Sequence, residues 1–228
     1  MAEVLRIGSP TITVVLRRST QARQLTLRVP SIGGDPILTA PRRVARHAID
    51  GFLIEREDWL RAALGRTPQP VDIVEGARIP VEGRLHTVQL TGRRGIRAEP
   101  GLLEVPRAGT GSALSGWLRG LARDRLATAT TRYAAQLGEV PGKLTLRDTR
   151  SRWGSCTSDG NLMFSWRLIM APVEVLDYVA AHEVAHLVEM NHSADFWAIV
   201  DRLKPGWQVH RDWLRREGAD LHRYRFDP

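Results

Sequence analysis

Alternation of apolar and polar residues over the first forty positions predicts β-strands. Residues 11–19 (TITVVLRRS) and 24–29 (QLTLRV) both alternate, and the apolar stretch ILTAP at 37–41 ends in a proline. A period of two is typical of a strand that buries one face. We therefore predict three strands, with the turn residues SIGGDP (31–36) directly before the third.

After residue 41 the apolar residues follow helical spacing, and after residue 70 the pattern is again typical of strands. Apolar residues recur three and four apart over 42–64, which predicts one helix, and RTPQP ends it. Residues 71–106 contain three short apolar runs separated by glycine and proline, VDIVEG, RLHTVQL and LLEVP, each of which predicts a strand. The sequence GTGS at 109–112 is the best candidate for a linker, and a long helical pattern extends from 114 to 137.

Two further strands and three helices are predicted after this long helix. The strands are KLTLRD (143–148) and NLMFSWRLIM (161–170), with the turn SRWGSCTSDG between them. Pro172 is suited to the start of the next helix, which we expect to continue to about Glu189. Two short helices are expected at about 193–203 and 209–217.

This order of elements predicts an α+β fold with two subdomains. Residues 1–110 should form a β-rich N-terminal subdomain with one helix, and residues 111–228 a helix-rich subdomain. A chain of 228 residues is long enough to bury a substantial core.

Composition favours a cytoplasmic protein. No apolar run reaches the roughly 18 residues that a membrane span needs, and the N-terminal residues do not resemble a signal peptide. Cys156 is the only cysteine, so no internal disulfide can form. We expect the cytoplasm of a bacterium or archaeon.

The positive charge gives weak support to nucleic-acid binding. The formal net charge is +8, and arginine carries almost all of the positive charge. Residues 1–110 have 17 basic and 11 acidic side chains, and residues 111–228 have 16 and 14. There is no dense basic run, so the simpler interpretation is a solvated basic surface.

The stretch AAHEVAHLVEMNHS (180–193) is the strongest indication of function. His182 and His186 are four residues apart on the predicted helix, so both imidazoles can reach one metal ion. Glu183 lies about 100° further round the helix, off the metal but near a water bound to it. The pattern HExxH thus predicts two zinc ligands and a general base.

A third ligand is predicted from spacing, with two competitors. His192 follows His186 by six residues, the offset found in HExxHxxGxxH, although Glu189 occupies the glycine position. Asn191 is then the natural turn residue, because asparagine tolerates left-handed backbone angles. Glu189 would lie on the ligand face if the helix continued, and Glu217 could approach from the last helix.

Three protein ligands leave one position for water, which is typical of a catalytic zinc site. Zinc would activate that water, and Glu183 would accept its proton and pass it to a leaving amine. We therefore expect one zinc ion and hydrolysis of peptide bonds in a peptide or protein substrate.

The motifs also resemble a known family. The segment TRSRWGSCTSDGNLMFSWRLIMAPVEVLDYVAAHEVAHLVEMNHSADFW (149–197), with RWGSC, HExxH and NHSxxFW, closely resembles the YgjP-like metallopeptidases. The resemblance extends over most of the chain, about 11–217. It implies a zincin-like core related to SprT-like proteases, with His182, His186 and His192 as metal ligands and Glu183 as base.

The resemblance brings two alternative functions. Some relatives are described as UTP pyrophosphatases, and SprT-like relatives include DNA-associated proteases. Magnesium-dependent phosphate chemistry usually needs clustered carboxylates, which this motif lacks, although arginines such as Arg150 and Arg152 could hold phosphates.

The turn before the second predicted strand supplies further candidates. Arg152 could bind substrate or form an ion pair that braces the turn, and Trp153 could be a substrate wall or a core residue. Residues 161–168 are the candidate strand for pairing with an extended substrate. Cys156 is expected to be a small buried residue, with a thiol that covers the zinc as the alternative.

Overall fold

The computed structural model describes residues 3–30 and 32–226, and its chain divides into two compact units, Met1–Pro70 and Val71–Pro228. This division differs from the expected one at residue 110, and the packing of the second unit explains the difference. The first residue of the predicted turn at 31–36, Ser31, lies outside the described residues.

The first unit contains the predicted strands. Its described elements are β1 (Glu3–Ile7), β2 (Ile12–Ser19), β3 (Thr26–Arg28), β4 (Ile37–Pro41), α1 (Arg46–Glu55) and α2 (Glu57–Gly65). The strands form one sheet in the order β1-β2-β4-β3, in which β2 and β4 are parallel and the outer pairs are antiparallel. The predicted strands at 11–19, 24–29 and 37–41 correspond to β2, β3 and β4.

The predicted helix at 42–64 is two helices. The backbone of Arg56, with φ −103° and ψ 4°, interrupts it between α1 and α2. The apolar spacing continues across the break, since Leu53 and Leu60 are both fully buried in the core of this unit. Neither glycine nor proline marks the interruption, so the sequence pattern could not reveal it.

The second unit begins with strands that pack on the long helix. These elements are β5 (Val71–Asp72), β6 (Arg78–Val81), β7 (Arg84–Thr91), β8 (Arg97–Glu99), β9 (Leu102–Pro106) and α3 (Thr110–Leu137). Val88 and Leu103 of the sheet β6-β7-β9-β8 share one core with Leu114 and Leu118 of α3. GTGS is therefore the N-cap and first turn of α3 and not a linker, and the division into units lies at residue 70 and not at 110.

The remaining elements build the region around HExxH. They are β10 (Leu144–Arg147), β11 (Gly154–Cys156), β12 (Leu162–Ser165), α4 (Val173–Ala185), α5 (Ala194–Leu203), α6 (Trp207–Glu217) and β13 (Tyr224–Arg225). The predicted strand at 161–170 is a strand only to Ser165, after which residues 166–170 form a buried 3-10 turn. Among helices of the described ranges, none is both long and apolar enough to span a bilayer.

Helix α4 begins as predicted and ends early. Pro172 is its N-cap, and its last helical residue is Ala185, four residues before the expected end at Glu189. Ala180 and Ala181 are fully buried, so the helix packs closely against the core along this face. The early end turns the chain back toward the side of α4 that carries the histidines.

A buried arginine holds the C-terminal segment in place. The guanidinium of Arg167 donates to both carboxylate oxygens of Asp148, at 2.6 and 3.0 Å, and to the carbonyls of Leu221 and Tyr224 at 3.0 and 3.1 Å. Bidentate pairing with a carboxylate is among the stronger polar contacts in proteins. These bonds fix the 3-10 turn Gly218–His222 beside the RWGSC segment.

A second polar cluster ties α4 to its neighbours. The carboxylate of Asp177 accepts hydrogen bonds from the Tyr133 hydroxyl at 2.5 Å and from Arg132, and it pairs with Lys204 Nζ at 3.0 Å. Burial acts to raise the pKa of Asp177, but the bonds from Tyr133 and Lys204 and the nearby positive charges outweigh burial and lower it.

We predict that Asp177→Asn lowers the free energy of unfolding at pH 7 by about 2 kcal/mol, because charge-assisted hydrogen bonds are lost. A lowered folded-state pKa contributes stability above the unfolded value of about 3.9, and this contribution is lost as the pH falls through the folded pKa. Urea unfolding should therefore give a gap between wild type and variant that shrinks below pH 4. Asp124→Asn, an exposed change on α3, is the control; an equal gap at pH 3 and pH 7 would contradict the prediction.

Candidate metal centre

Three imidazoles converge at the end of α4. His182 and His186 lie one helical turn apart, and the chain after α4 brings His192 against them. Their ligand atoms lie within 4.8 Å of one another, and Nε2 of His182 is 3.1 Å from Nε2 of His192. Among the described residues, no other group of three or more His, Cys, Asp or Glu side chains brings its ligand atoms this close together.

Local hydrogen bonds set the position of His192. The side chain of Asn191 donates to Glu189 Oε1 at 2.6 Å and accepts from the backbone N–H of Ser193 at 2.8 Å. The Ser193 hydroxyl then accepts from Phe196 N–H at 3.2 Å and caps α5. Asn191 does not adopt the expected left-handed backbone angles; its side chain forms the turn instead.

An aromatic side chain supports all three rings. The fully buried ring of Phe196 lies 4.9, 4.4 and 4.7 Å, centroid to centroid, from the rings of His182, His186 and His192. Packing of this kind restricts the rotation of the imidazoles. The NHSxxFW motif therefore supplies both a histidine and the surface that orients the other two.

Hydrogen bonding and burial determine how the histidine nitrogens can act. Nδ1 of His186 donates to the carbonyl oxygen of Glu189 at 3.0 Å, which leaves Nε2 as the free lone pair. Burial, followed by the charges of His186, His192 and Arg211, lowers the pKa of His182 to about 3. His182 is thus neutral at pH 7, the form that binds a metal.

The donor set fits a divalent cation. Two nitrogens bound tetrahedrally to zinc at roughly 2.0–2.1 Å lie about 3.3 Å apart, close to the 3.1 Å between His182 and His192. In the described part of the chain, Nδ1 of His182 is buried and has no hydrogen-bond partner. The other nitrogen of this ring, Nε2, is the one that faces His192. Neither Glu189 nor Glu217 belongs to the clustered group.

Glu183 is buried beside the histidines and contacts β11. Its side chain is only 5% exposed, and burial raises its pKa to about 8 against the opposing charge of Arg152. A Cβ atom at Gly154 would lie 2.4 Å from Glu183 Oε1 and 2.6 Å from Cγ. The glycine of RWGSC is therefore required for the carboxylate to occupy this position.

The strand with a free edge near the histidines is β11. The sheet order is β10-β12-β11, so β12 is central and has both edges paired. The candidate pairing strand at 161–168, which contains β12, is therefore wrong, because its backbone groups already bond to two neighbours. The edge strand β11 was hidden in sequence, since GSC is short and lies in an apparent turn.

Trp153 and Arg152 have different roles in the structure. Trp153 stacks on His222 at 5.1 Å and lies against Gly218, yet it also lines a cavity of about 320 Å³ with His182 and Glu183. Trp153 therefore packs against the C-terminal turn and also forms part of the wall of this cavity. Arg152 is exposed, forms no ion pair with any described residue, and borders a second cleft of about 420 Å³ at the histidines.

Cys156 is half-buried at the end of β11. Burial, and then the charge of Glu183, raises the pKa of its thiol to about 11, and Sγ donates weakly to the Thr157 carbonyl at 3.4 Å. The thiol is therefore protonated at neutral pH, which agrees with a small packing residue. Cys156 also borders the 420 Å³ cleft.

Sequence reasoning missed several residues around the site. Gly154, Tyr178, Arg211 and Arg215 all line the 320 Å³ cavity beside Glu183. Tyr178 was identifiable, because it lies four residues before His182 on the same helical face. The arginines of α6 carried no signal in a chain rich in arginine.

The family follows from comparison of the whole sequence. The sequence model of the family described as YgjP-like, metallopeptidase domain matches residues 23–217. The chain belongs to this family. A metallopeptidase domain implies a divalent metal, and the three convergent histidines of this YgjP-like domain could bind one.

Other comparisons add little to this assignment. No curated protein matches the chain. A crystal structure of the metallopeptidase zymogen of Pyrococcus abyssi abylysin is similar, with a TM-score of 0.38 and 22% sequence identity, over 43% of this chain and 97% of that one.

We predict that His192→Ala weakens zinc binding by more than about 100-fold, because loss of a ligand should exceed the effect of losing a supporting hydrogen bond. Competition with a chromogenic chelator measures the affinity. Glu189→Gln and Glu217→Ala should keep the wild-type affinity. Unchanged binding in the histidine variant, with weakened binding in either glutamate variant, would reassign the third ligand.

We predict that Gly154→Ala lowers casein hydrolysis by about 100-fold, since displacement of a reacting group by 1 Å has an effect of this size. Zinc content should remain at the wild-type value, because the new methyl group meets Glu183 and not a histidine. The matched control is Gly120→Ala, where a Cβ has no neighbour within 4 Å. Full activity of Gly154→Ala would show that the position of Glu183 is unimportant.

Proposed function

We propose that this YgjP-like domain is a zinc-dependent peptidase in which His182, His186 and His192 bind one zinc ion. The observation that carries the proposal is the approach of three imidazoles to one another with Glu183 buried beside them. Imidazole nitrogens are preferred zinc ligands, and a site with three protein ligands leaves a position for solvent or substrate.

The chemistry of the reaction is divided between the metal and Glu183. When bound, zinc supplies a Lewis acid that polarises a carbonyl and makes water acidic. A divalent cation at the histidines would favour the ionised form of Glu183 and so oppose the effect of burial on its pKa. The carboxylate oxygen would then accept a proton from the attacking water and donate it to the nitrogen of the leaving amine. Gly154 supports this role, because its missing side chain allows the carboxylate to lie against β11.

An extended peptide suits the surroundings of Glu183. No described strand pairs with the outer edge of β11, and an added strand can bond to such an edge through its main chain. The 320 Å³ cavity and the 420 Å³ cleft both border Glu183 and Gly154. A peptide along β11 can therefore place one side chain in each, with Trp153 as a wall of the first and Arg152 beside the second.

A peptide is a better substrate for this site than a nucleotide or DNA. Magnesium-dependent phosphate chemistry relies on hard oxygen ligands, and no acidic cluster occurs with the histidines among the described residues. The positive charge of the chain is spread over many arginines that pair with carboxylates, as at Arg125 with Glu82 and Arg97 with Glu99.

We predict that Glu183→Gln abolishes peptide cleavage and keeps zinc, because glutamine cannot accept the proton from water. Zinc-loaded wild type and variant are incubated with casein, with UTP and with DNA. Cleavage of casein by the wild type alone supports the proposal. UTP hydrolysis that needs magnesium alone, or DNA binding that weakens with salt and gives no turnover, would replace it by one of the two alternatives.

A further inference from the structure

The 320 Å³ cavity beside Glu183 contains an arginine with an unusual environment. The guanidinium of Arg211, on α6, lies over two tryptophan rings, with Cζ 5.2 Å from the centroid of Trp197 and 5.6 Å from that of Trp207. The two indoles stack on each other at 4.2 Å and 17°. The guanidinium thus lies beside this stacked pair of indoles, and Arg211 lines the cavity.

Arg211 has no carboxylate partner in the described part of the chain. The half-buried Arg61 and the buried Arg167 each pair with an acid, Arg61 with Glu57 at 2.6 Å and Arg167 with Asp148 at 2.6 Å. The donors of Arg211 are therefore available to solvent or to a ligand in the cavity. A guanidinium that packs on aromatic rings and has no acidic partner can bind an anion such as a carboxylate.

The rest of the cavity strengthens its positive character. Arg215, one turn after Arg211, also lines it, and the contact of Arg215 with Asp212 is long, at 3.6 Å, and exposed. Glu183 is the only acidic residue in the cavity lining. Arg211 and Arg215 thus line the same cavity as Glu183, and Glu183 is the proposed general base and not their ion-pair partner.

The cavity is joined to the path expected for substrate. Gly154, the first residue of β11, lines it together with His182 and Glu183. Arg211 lines the same cavity as His182. A substrate residue that follows the edge of β11 and lies next to the cleaved bond can therefore direct its side chain or its terminal carboxylate at Arg211.

We propose that Arg211, assisted by Arg215, is a specificity residue that binds a substrate carboxylate next to the cleaved bond. The carboxylate comes from an aspartate or glutamate side chain or from the C-terminus of a peptide. This inference rests on the proposed peptidase function. Planar pairing of guanidinium with carboxylate supplies both orientation and affinity.

A binding experiment tests the inference without turnover. Zinc-loaded Glu183→Gln protein is titrated calorimetrically with acetyl-pentaalanine amide, with the same amide carrying one glutamate at each position in turn, and with acetyl-pentaalanine that ends in a free carboxylate. At least one acidic probe should bind about tenfold tighter than the neutral amide, as expected for a charge-assisted hydrogen bond. The glutamate series and the free carboxylate distinguish the two sources.

Paired arginine variants assign the preference to one side chain. Adding Arg211→Gln to Glu183→Gln should remove the gain, and adding Arg211→Lys should retain part of it. Arg216→Gln, which removes the same charge from an exposed position of α6 outside the cavity, should leave it intact. Because Arg211 also packs on two indoles, thermal unfolding of each variant checks that the fold is retained.

Cleavage mapping separates the two proposals. Wild type and Arg211→Gln are incubated with peptides from a casein digest, and mass spectrometry identifies the bonds cut. Acidic residues or free C-termini enriched on one side of the cut by wild type, and lost in Arg211→Gln, support the inference. Cleavage by wild type without enrichment overturns it and leaves the peptidase in place.

If no peptide is cut, that result counts against the peptidase function alone. The binding data then still decide whether Arg211 binds a carboxylate. Equal affinity for all probes, including no measurable binding, overturns the inference, as does a gain that persists in Arg211→Gln. Inorganic phosphate that binds more tightly than every acidic probe would also overturn it and indicate a phosphate site.

Discussion

The whole site depends on three imidazole lone pairs directed at one point. Nε2 of His182 and Nε2 of His192 lie 3.1 Å apart, and among the described residues no acidic side chain belongs to this group. A divalent cation satisfies such a donor set. The early end of α4 and the Phe196 ring are both explained by the need to hold this arrangement.

A second layer of contacts serves the carboxylate next to the imidazoles. Glu183 can lie against β11 only because Gly154 has no side chain. Trp153, the residue before this glycine, is held by His222 and Gly218. His222 and Gly218 belong to the 3-10 turn whose Leu221 carbonyl accepts a hydrogen bond from the buried guanidinium of Arg167. The same guanidinium is paired with Asp148. The RWGSC motif is thus a framework that sets one edge strand and one carboxylate.

Local patterns predicted what depends on nearby residues. HExxH lies on a helix whose period of 3.6 brings His182 and His186 together, and the NHS spacing correctly indicated that His192 joins them. Strands β2 and β4 were clear from alternation and flanking turns. In each case the signal lies within about ten residues and follows from helix or strand geometry.

Features that depend on long-range packing escaped sequence reasoning. The division at residue 70 reflects a shared core between β6–β9 and α3, which alternation cannot reveal. The edge position of β11 depends on sheet order and not on the residues GSC. The role of Arg211 depends on Trp197 and Trp207 meeting across the turn between α5 and α6.

Diffraction at the zinc absorption edge from zinc-soaked crystals tests the central claim most directly. We predict one anomalous peak at about 2.0–2.1 Å from a ring nitrogen of each of His182, His186 and His192, with Glu183 beside the ion and not bound to it. A peak elsewhere, a glutamate in place of His192, or the absence of any peak at saturating zinc would contradict the account.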